Sequence, residues 1–205
     1  MRRANPDSAF LNIPYDRSYE ELFLAYIAGL AAFGIQPRAT LELTAGARRL
    51  DRIFHLISSC DCSFHDLSMV KLDRKAPRTP RFNMPFELGL VIGWQRATQS
   101  NHRWFVFESS PYRVQKSLSD LNGTDPFIYN GTPDGVLREV RNCLARRRDQ
   151  PTADQMHRIF RDLRDTSVRI RKDAAASSLF EARVFANLSV GAGQLAARVL
   201  PGLKA

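Results

Sequence analysis

The sequence predicts an α/β fold: a doubly wound parallel sheet of about five strands, followed by a C-terminal helical extension. Three observations carry that prediction. Short apolar runs of strand length alternate with longer segments of helical periodicity through residues 9–145. The breaks between them hold the Pro, Gly, Asp and Asn that start and stop such elements. A chain of 205 residues that is 44% hydrophobic has ample material for one covered sheet.

The elements follow in order. Ala9 to Ile13 is a short apolar strand, ended by Pro14-Tyr15-Asp16. Ser18 caps a helix with Glu20 and Glu21 in its acidic first turn, which runs to Phe33 and closes at Gly34. Residues 35–42 read as an edge strand, because Pro37 has no N–H to give a central ladder. Ala47 to Ser59 is a helix with Leu50, Ile53, Phe54 and Ile57 at helical spacing, and it feeds a strand from Cys60 to Phe64. A basic loop over 69–81 precedes a helix from Pro85 to Arg96, with Asn83 as its cap. Arg103 to Glu108 is a buried strand, Val114 to Leu121 a short helix, and Pro126 to Tyr129 the last strand. Thr132 caps a final α/β helix through Val136, Leu137, Val140 and Leu144. The arrangement expected is flavodoxin-like.

Residues 1–148 form the α/β domain on this reading, and residues 149–205 the extension. The extension holds two helices, Ala153 to Lys172 and Leu179 to Leu200. The first places Met156, Ile159, Phe160 and Leu163 on one stripe with arginines opposite. That stripe can cover the sheet of its own chain or meet a second copy.

The formal charge of +9 is uneven. Residues 1–145 carry 18 Lys/Arg against 15 Asp/Glu, and residues 146–205 carry 12 against 6. Acidic residues interleave with the basic ones in the tail and aromatics are few, so a solvated helix face is expected there and nucleic acid is not an expected partner. The apolar runs are too short and interrupted to span a membrane, and no signal segment opens the chain. Cys60, Cys62 and Cys143 are read as reduced thiols in a cytoplasmic protein, and no metal site is expected from them.

The chemistry centres on Cys62 to Trp94. Asp66 and its neighbour His65 fall at the end of a strand, and Glu87 falls at the start of the next helix, where the dipole favours an ionised carboxylate. Strand ends and helix starts border the ligand crevice of an open α/β sheet. Two carboxylates converging there suit cleavage of an N-glycosidic bond, one attacking or stabilising the oxocarbenium-like carbon and the other handling a hydroxyl or a proton.

Asn12-Ile13-Pro14 at the first strand end, Asp66 at a later one and Phe86-Glu87-Leu88-Gly89 at the helix start resemble the nucleoside 2-deoxyribosyltransferase family. The helix start also resembles bacterial TIR domains, in which a Glu-Leu pair supplies the glutamate that cleaves NAD. The chain departs from both. Asn83 and Met84 stand where TIR domains often carry Trp-Cys, and the Gly-Thr-like turn of deoxyribosyltransferases is missing.

The resemblance implies Glu87 as nucleophile and Asp66 as the residue that orients the sugar. It implies NAD or a related nucleotide as substrate with no separate cofactor, and a role in bacterial antiviral defence. It also implies self-association into a homo-oligomer, with an effector protein as a further partner. Asn12, Pro14, Tyr15 and Asp16 after the first strand, with His65, Arg81 and Asn83, complete the expected substrate pocket. A deoxyribosyltransferase-like enzyme and a non-enzymatic nucleotide-sensing module are the alternatives.

Overall fold

A computed structural model of the chain describes residues 7–42, 48–70, 76, 78–148 and 150–202. Its sheet has five strands, all paired in parallel: β1 Ser8–Asn12, β2 Gln36–Arg38, β3 Cys62–Asp66, β4 Arg103–Glu108 and β5 Phe127–Ile128. Their order is β2-β1-β3-β4-β5, the flavodoxin-like doubly wound order, so the winding reverses between β1 and β3. A ligand crevice is expected outside the carboxyl ends of those two strands.

Side-chain alternation divides the strands between two faces. Ala9 and Leu11 of β1, Cys62 and Phe64 of β3 and Phe107 of β4 join a core with α1 (Glu20–Ala31) and α5 (Pro133–Cys143). Phe10 faces the other way, against Ile53, Leu56 and Ile57 of α2 (Arg49–Ser59) and Val91 of α3 (Asn83–Thr98). Val106 turns to that second face too, packing with Met84 and Leu88 of α3 and Val114 of α4 (Arg113–Ser117).

Helix α1 is apolar on every side, which a helix with one solvated face does not permit. It is covered on both sides. The sheet lies beneath it, and α6 (Ala153–Asp173) and α7 (Ala182–Val199) pack over it as an outer layer. Met156, Ile159, Phe160 and Leu163 are buried in this way, in one core with the sheet. The apolar stripe of α6 is therefore consumed within the chain and offers no face to a second copy.

Two element readings change around β2 and α2. The strand expected over 35–42 stops at Arg38, because the Glu42 carboxylate accepts from the Ala39 N–H at 2.9 Å and pairs with Arg38 at 2.5 Å, folding Thr40–Glu42 into a 3-10 turn. Pro37 does sit on an edge strand, paired only with β1. Leu50 and Phe54 lie on the more exposed flank of the α2 apolar stripe, and Ile53, Leu56 and Ile57 carry its full burial. The predicted helix start at Ala47, and residues 71–75 and 77 of the basic loop, lie outside the described residues.

Two glycines are fixed by close approach. A Cβ on Gly135 would stand 1.8 Å from the Tyr129 carbonyl oxygen, so only glycine lets α5 begin against the end of β5. Gly29 brings α1 onto α5, where an added Cβ would meet Val140 at 3.2 Å. Gly89 and Gly93 of α3 differ: a Cβ at either would meet nothing within 4 Å among the described residues.

Candidate active site

The expected crevice lies where β1 and β3 end and α3 begins. Helix α3 starts earlier than the sequence suggests. Asn83 is its first helical residue, Phe82 holds the cap position without a side-chain bond, and Asn83 is exposed and caps nothing. Pro85 sits within the first turn, where its missing N–H is not needed. Glu87 is then the fifth residue, one turn in. The exposed N–H groups of the helix start are spent mainly within the first turn, so the dipole is not what governs this carboxylate.

Burial governs it instead. Glu87 is 4% exposed, and loss of water pushes its carboxyl up from 4.5 to about 7. The charge of Arg49 opposes that rise, with Nη2 standing 3.7 Å from Oε1. That separation is an ion pair rather than a hydrogen bond. Arg49 opens α2 and its side chain is largely exposed, so Glu87 faces the crevice mouth through a solvent-facing cation. Tyr15 completes this side. Its hydroxyl bonds Thr40 Oγ1 at 3.0 Å, and burial pushes the phenol up to about 12, opposed by that bond and reinforced by the Glu87 charge.

Asp66 does not join Glu87. It continues the alternation of Cys62 and Phe64 and so turns to the α1 face, whereas α3 packs on the other. There it is fully buried among tyrosines. Oδ2 accepts from the hydroxyls of Tyr19 and of Tyr26, the latter at 2.9 Å, while Oδ1 accepts from the Ser68 N–H at 2.8 Å and Tyr129 Oη at 3.4 Å. Burial raises its carboxyl, and the bonds from Ser68 and the tyrosines hold it down. This cage ties the start of α1 and the end of β5 to the end of β3. The expectation that Asp66 and Glu87 converge on one crevice is therefore corrected: Asp66 is enclosed by tyrosines on the α1 face, while Glu87 belongs to α3 on the other face.

His65 is corrected as well. It is fully buried, with Nδ1 2.8 Å from Asn12 Nδ2 and Nε2 2.8 Å from Ser63 Oγ. Burial lowers its pKa to about 3, with His102 adding to the effect, so it is a neutral internal ring with both nitrogens engaged. It cannot serve as a general acid near neutral pH. Asn12 is 3% exposed, and its Nδ2 also donates to the Met84 carbonyl at 2.9 Å. Pro14 is buried at the strand end and brings no N–H.

Asp16 and Arg81 do come together. Arg81, just before α3, stands 3.9 Å from Asp16, which also accepts from the Ser18 N–H at 3.0 Å and so caps the turn that leads into α1. The mouth thus carries Arg49 on one side and Arg81 on another, with Phe82 and Phe86 exposed on the same end of α3.

Arg49 beside Glu87 and the three tyrosines around Asp66 are neighbours that the sequence does not reveal. Arg49 lies far from Glu87 in the chain and no spacing links them. Tyr26 did leave a signal: a lone phenol in the middle of an apolar helix must find a buried partner for its hydroxyl. Cys60 and Cys62 are buried free thiols pushed up by burial to about 11 and about 12. Among the described residues no cluster of His, Cys, Asp and Glu could hold a metal ion, and no helix is long and apolar enough to cross a membrane. No family model matches this chain, and no curated protein matches it.

Proposed function

We propose that the crevice cleaves the N-glycosidic bond of NAD or a related nucleotide, with Glu87 as the reacting carboxylate. One observation carries this reading: Glu87 is a buried acid at the winding reversal of the sheet, raised to about 7 and met at 3.7 Å by the largely exposed Arg49. Its ionised oxygen attacks or stabilises the anomeric carbon as the C–N bond breaks and the base departs with the bonding pair. Water or an internal acceptor then takes the ribosyl group, giving hydrolysis or cyclisation.

The surroundings favour a pyridinium leaving group over a purine or pyrimidine. A neutral base leaving a nucleoside needs a proton, and the other acids at this sheet edge are engaged elsewhere, Asp66 with the tyrosines and Asp16 with Ser18 and Arg81. Nicotinamide leaves from a cation and needs none. Arg49 and Arg81 suit a substrate that carries phosphates. A deoxyribosyltransferase that relies on a second crevice carboxylate fits less well.

The resemblance extends this reading to a cytoplasmic protein of bacterial antiviral defence, acting with an effector protein and as a homo-oligomer. Self-association on this view uses the apolar residues exposed on α2 and α3, since the C-terminal stripe is consumed. The test is to incubate the pure protein with NAD and separately with deoxynucleosides, and to follow free base. Nicotinamide release that is lost in Glu87→Gln supports the reading; release from deoxynucleosides alone supports the alternative; none from either rejects both.

A further inference from the structure

On the face covered by α3, buried polar groups run from the carboxyl end of β3 back to its amino end. Asn12 Nδ2 contacts the Met84 carbonyl at 2.9 Å and His65 Nδ1 at 2.8 Å. His65 Nε2 reaches Ser63 Oγ at 2.8 Å, the same oxygen meets His102 Nε2 at 2.9 Å, and His102 Nδ1 meets the Cys60 carbonyl at 3.0 Å. His65 and Ser63 are fully buried, and Asn12 and His102 nearly so.

Donor and acceptor rules allow one direction only. The Cys60 carbonyl can only accept, so His102 Nδ1 carries a proton and, in a neutral ring, Nε2 accepts. Ser63 must spend its single proton there, which leaves its oxygen to accept from His65 Nε2–H. His65 Nδ1 then accepts from Asn12. The other end demands the same: Met84 offers a carbonyl, so the Asn12 atom facing it is the amide nitrogen, and that nitrogen can only donate to His65. The two ends agree independently, and both histidines are neutral in opposite tautomers.

We propose that Asn12 is a positioning residue for Glu87, fixed by this one-way chain, and not a substrate contact. Met84 lies in the first turn of α3, three residues before Glu87, and α3 has no side-chain cap of its own. Asn12 ties that first turn to the sheet by donating to the Met84 carbonyl, a tether and not a cap, since a cap would accept from the N–H groups of the helix start. Both amide protons are consumed in the task and the residue is 3% exposed, so it offers a ligand no donor. The inference rests on Glu87 as the reacting group, and its first two readouts do not.

The experiment uses the full chain. Imidazole nitrogen shifts by NMR are expected to show His65 protonated at Nε2 and His102 at Nδ1; the same tautomer in both rings overturns the chain. The side-chain carboxyl carbon of Glu87, which faces Arg49 and Tyr15, reports its own titration without turnover. Asn12→Ala and Ser63→Ala are expected to lower its midpoint by about one pH unit, as water reaches a loosened helix start. A midpoint unchanged in either folded variant overturns the positioning role. With NAD as the probe, Asn12→Ala is expected to lower kcat about tenfold at an unchanged KM. A raised KM with kcat intact makes Asn12 a substrate contact and overturns the proposal. Base release by Glu87→Gln at the wild-type rate, or none by the wild type, defeats the reading of Glu87 alone, and the tautomers and midpoints still decide the chain.

Discussion

Arg49 holds its guanidinium 3.7 Å from the Glu87 carboxylate, the arginine largely in solvent and the glutamate almost wholly out of it. The pair therefore compensates only part of the cost of burying the acid, and the pKa stays near 7. The consequence for stability has a definite sign. Between 4.5 and about 7 the folded chain holds a proton that the unfolded chain has lost, so this group's contribution falls as pH rises through that window. Its limit is about 3 kcal/mol, at 1.36 kcal/mol per pH unit. Glu87→Gln has no such loss. It is expected to abolish base release and to be the more stable protein at pH 8, with the advantage shrinking toward pH 4.5. Urea unfolding at both pH values checks this; an equal difference at each means that the carboxylate is not held by burial.

Replacing Arg49 removes the charge that opposes the rise. If the ionised form of Glu87 reacts, kcat/KM climbs with pH through a midpoint near 7 in the wild type. Arg49→Gln is expected to move that midpoint upward and to raise KM for a phosphate-bearing substrate. A pH profile measured with NAD reads both. An unshifted limb separates Arg49 from the titration.

Asp66→Asn tests the other carboxylate. The amide that replaces one oxygen brings its NH2 group against donors, either the tyrosine hydroxyls or the Ser68 N–H. A loss of about 1–3 kcal/mol in stability is expected, with KM and the position of the pH limb unchanged. A raised KM in a protein of wild-type stability would return Asp66 to the substrate pocket.

At the β5–α5 junction, Gly135→Ala places a methyl where the Tyr129 carbonyl already stands, 1.8 Å from the new carbon. Backbone must move, and Tyr129 is one of the Asp66 partners. A cost of about 2 kcal/mol or more is expected, read as a fall in Tm.

Much of this fold is legible in the sequence for stated reasons. The apolar runs at Ala9 to Ile13 and Arg103 to Glu108 are strands, Pro37 marks an edge, and Thr132 caps α5 with its hydroxyl 3.0 Å from the Gly135 N–H. Glu87 is found because Pro85 and the apolar run after it mark a helix start. Asp66 is misplaced because a position at a strand end does not say which way the side chain turns. Its parity with Cys62 and Phe64 says so once the face covered by α1 is known. Leu50 and Phe54 share a helical stripe with Ile53 and Ile57, but periodicity does not reveal how far the covering layer extends. Arg49 meets Glu87 through the winding of the chain, which no local pattern records.

Leu50 and Phe54, one turn apart on α2, are 42% and 40% exposed, and Phe82 and Phe86, one turn apart at the start of α3, are 62% and 55% exposed. The two helices touch, so these four side chains lie on adjoining elements next to Glu87. In the isolated chain rather more than half of Leu50 and of Phe54 is covered, and Leu50→Ser and Phe54→Ser should each lower stability by about 1–2 kcal/mol. Neither residue is placed in the catalytic machinery. If a second copy covers this end of the molecule, the double variant is expected to lose the larger species in light scattering, and its activity per molecule should fall to that of the diluted wild type. Replacing Val168, which is 61% exposed on α6 and lies off its buried stripe, should leave association unaltered. A wild type that stays monomeric over the dilution series at constant specific activity would eliminate the assembly, and with it any need for a partner at the α2–α3 face.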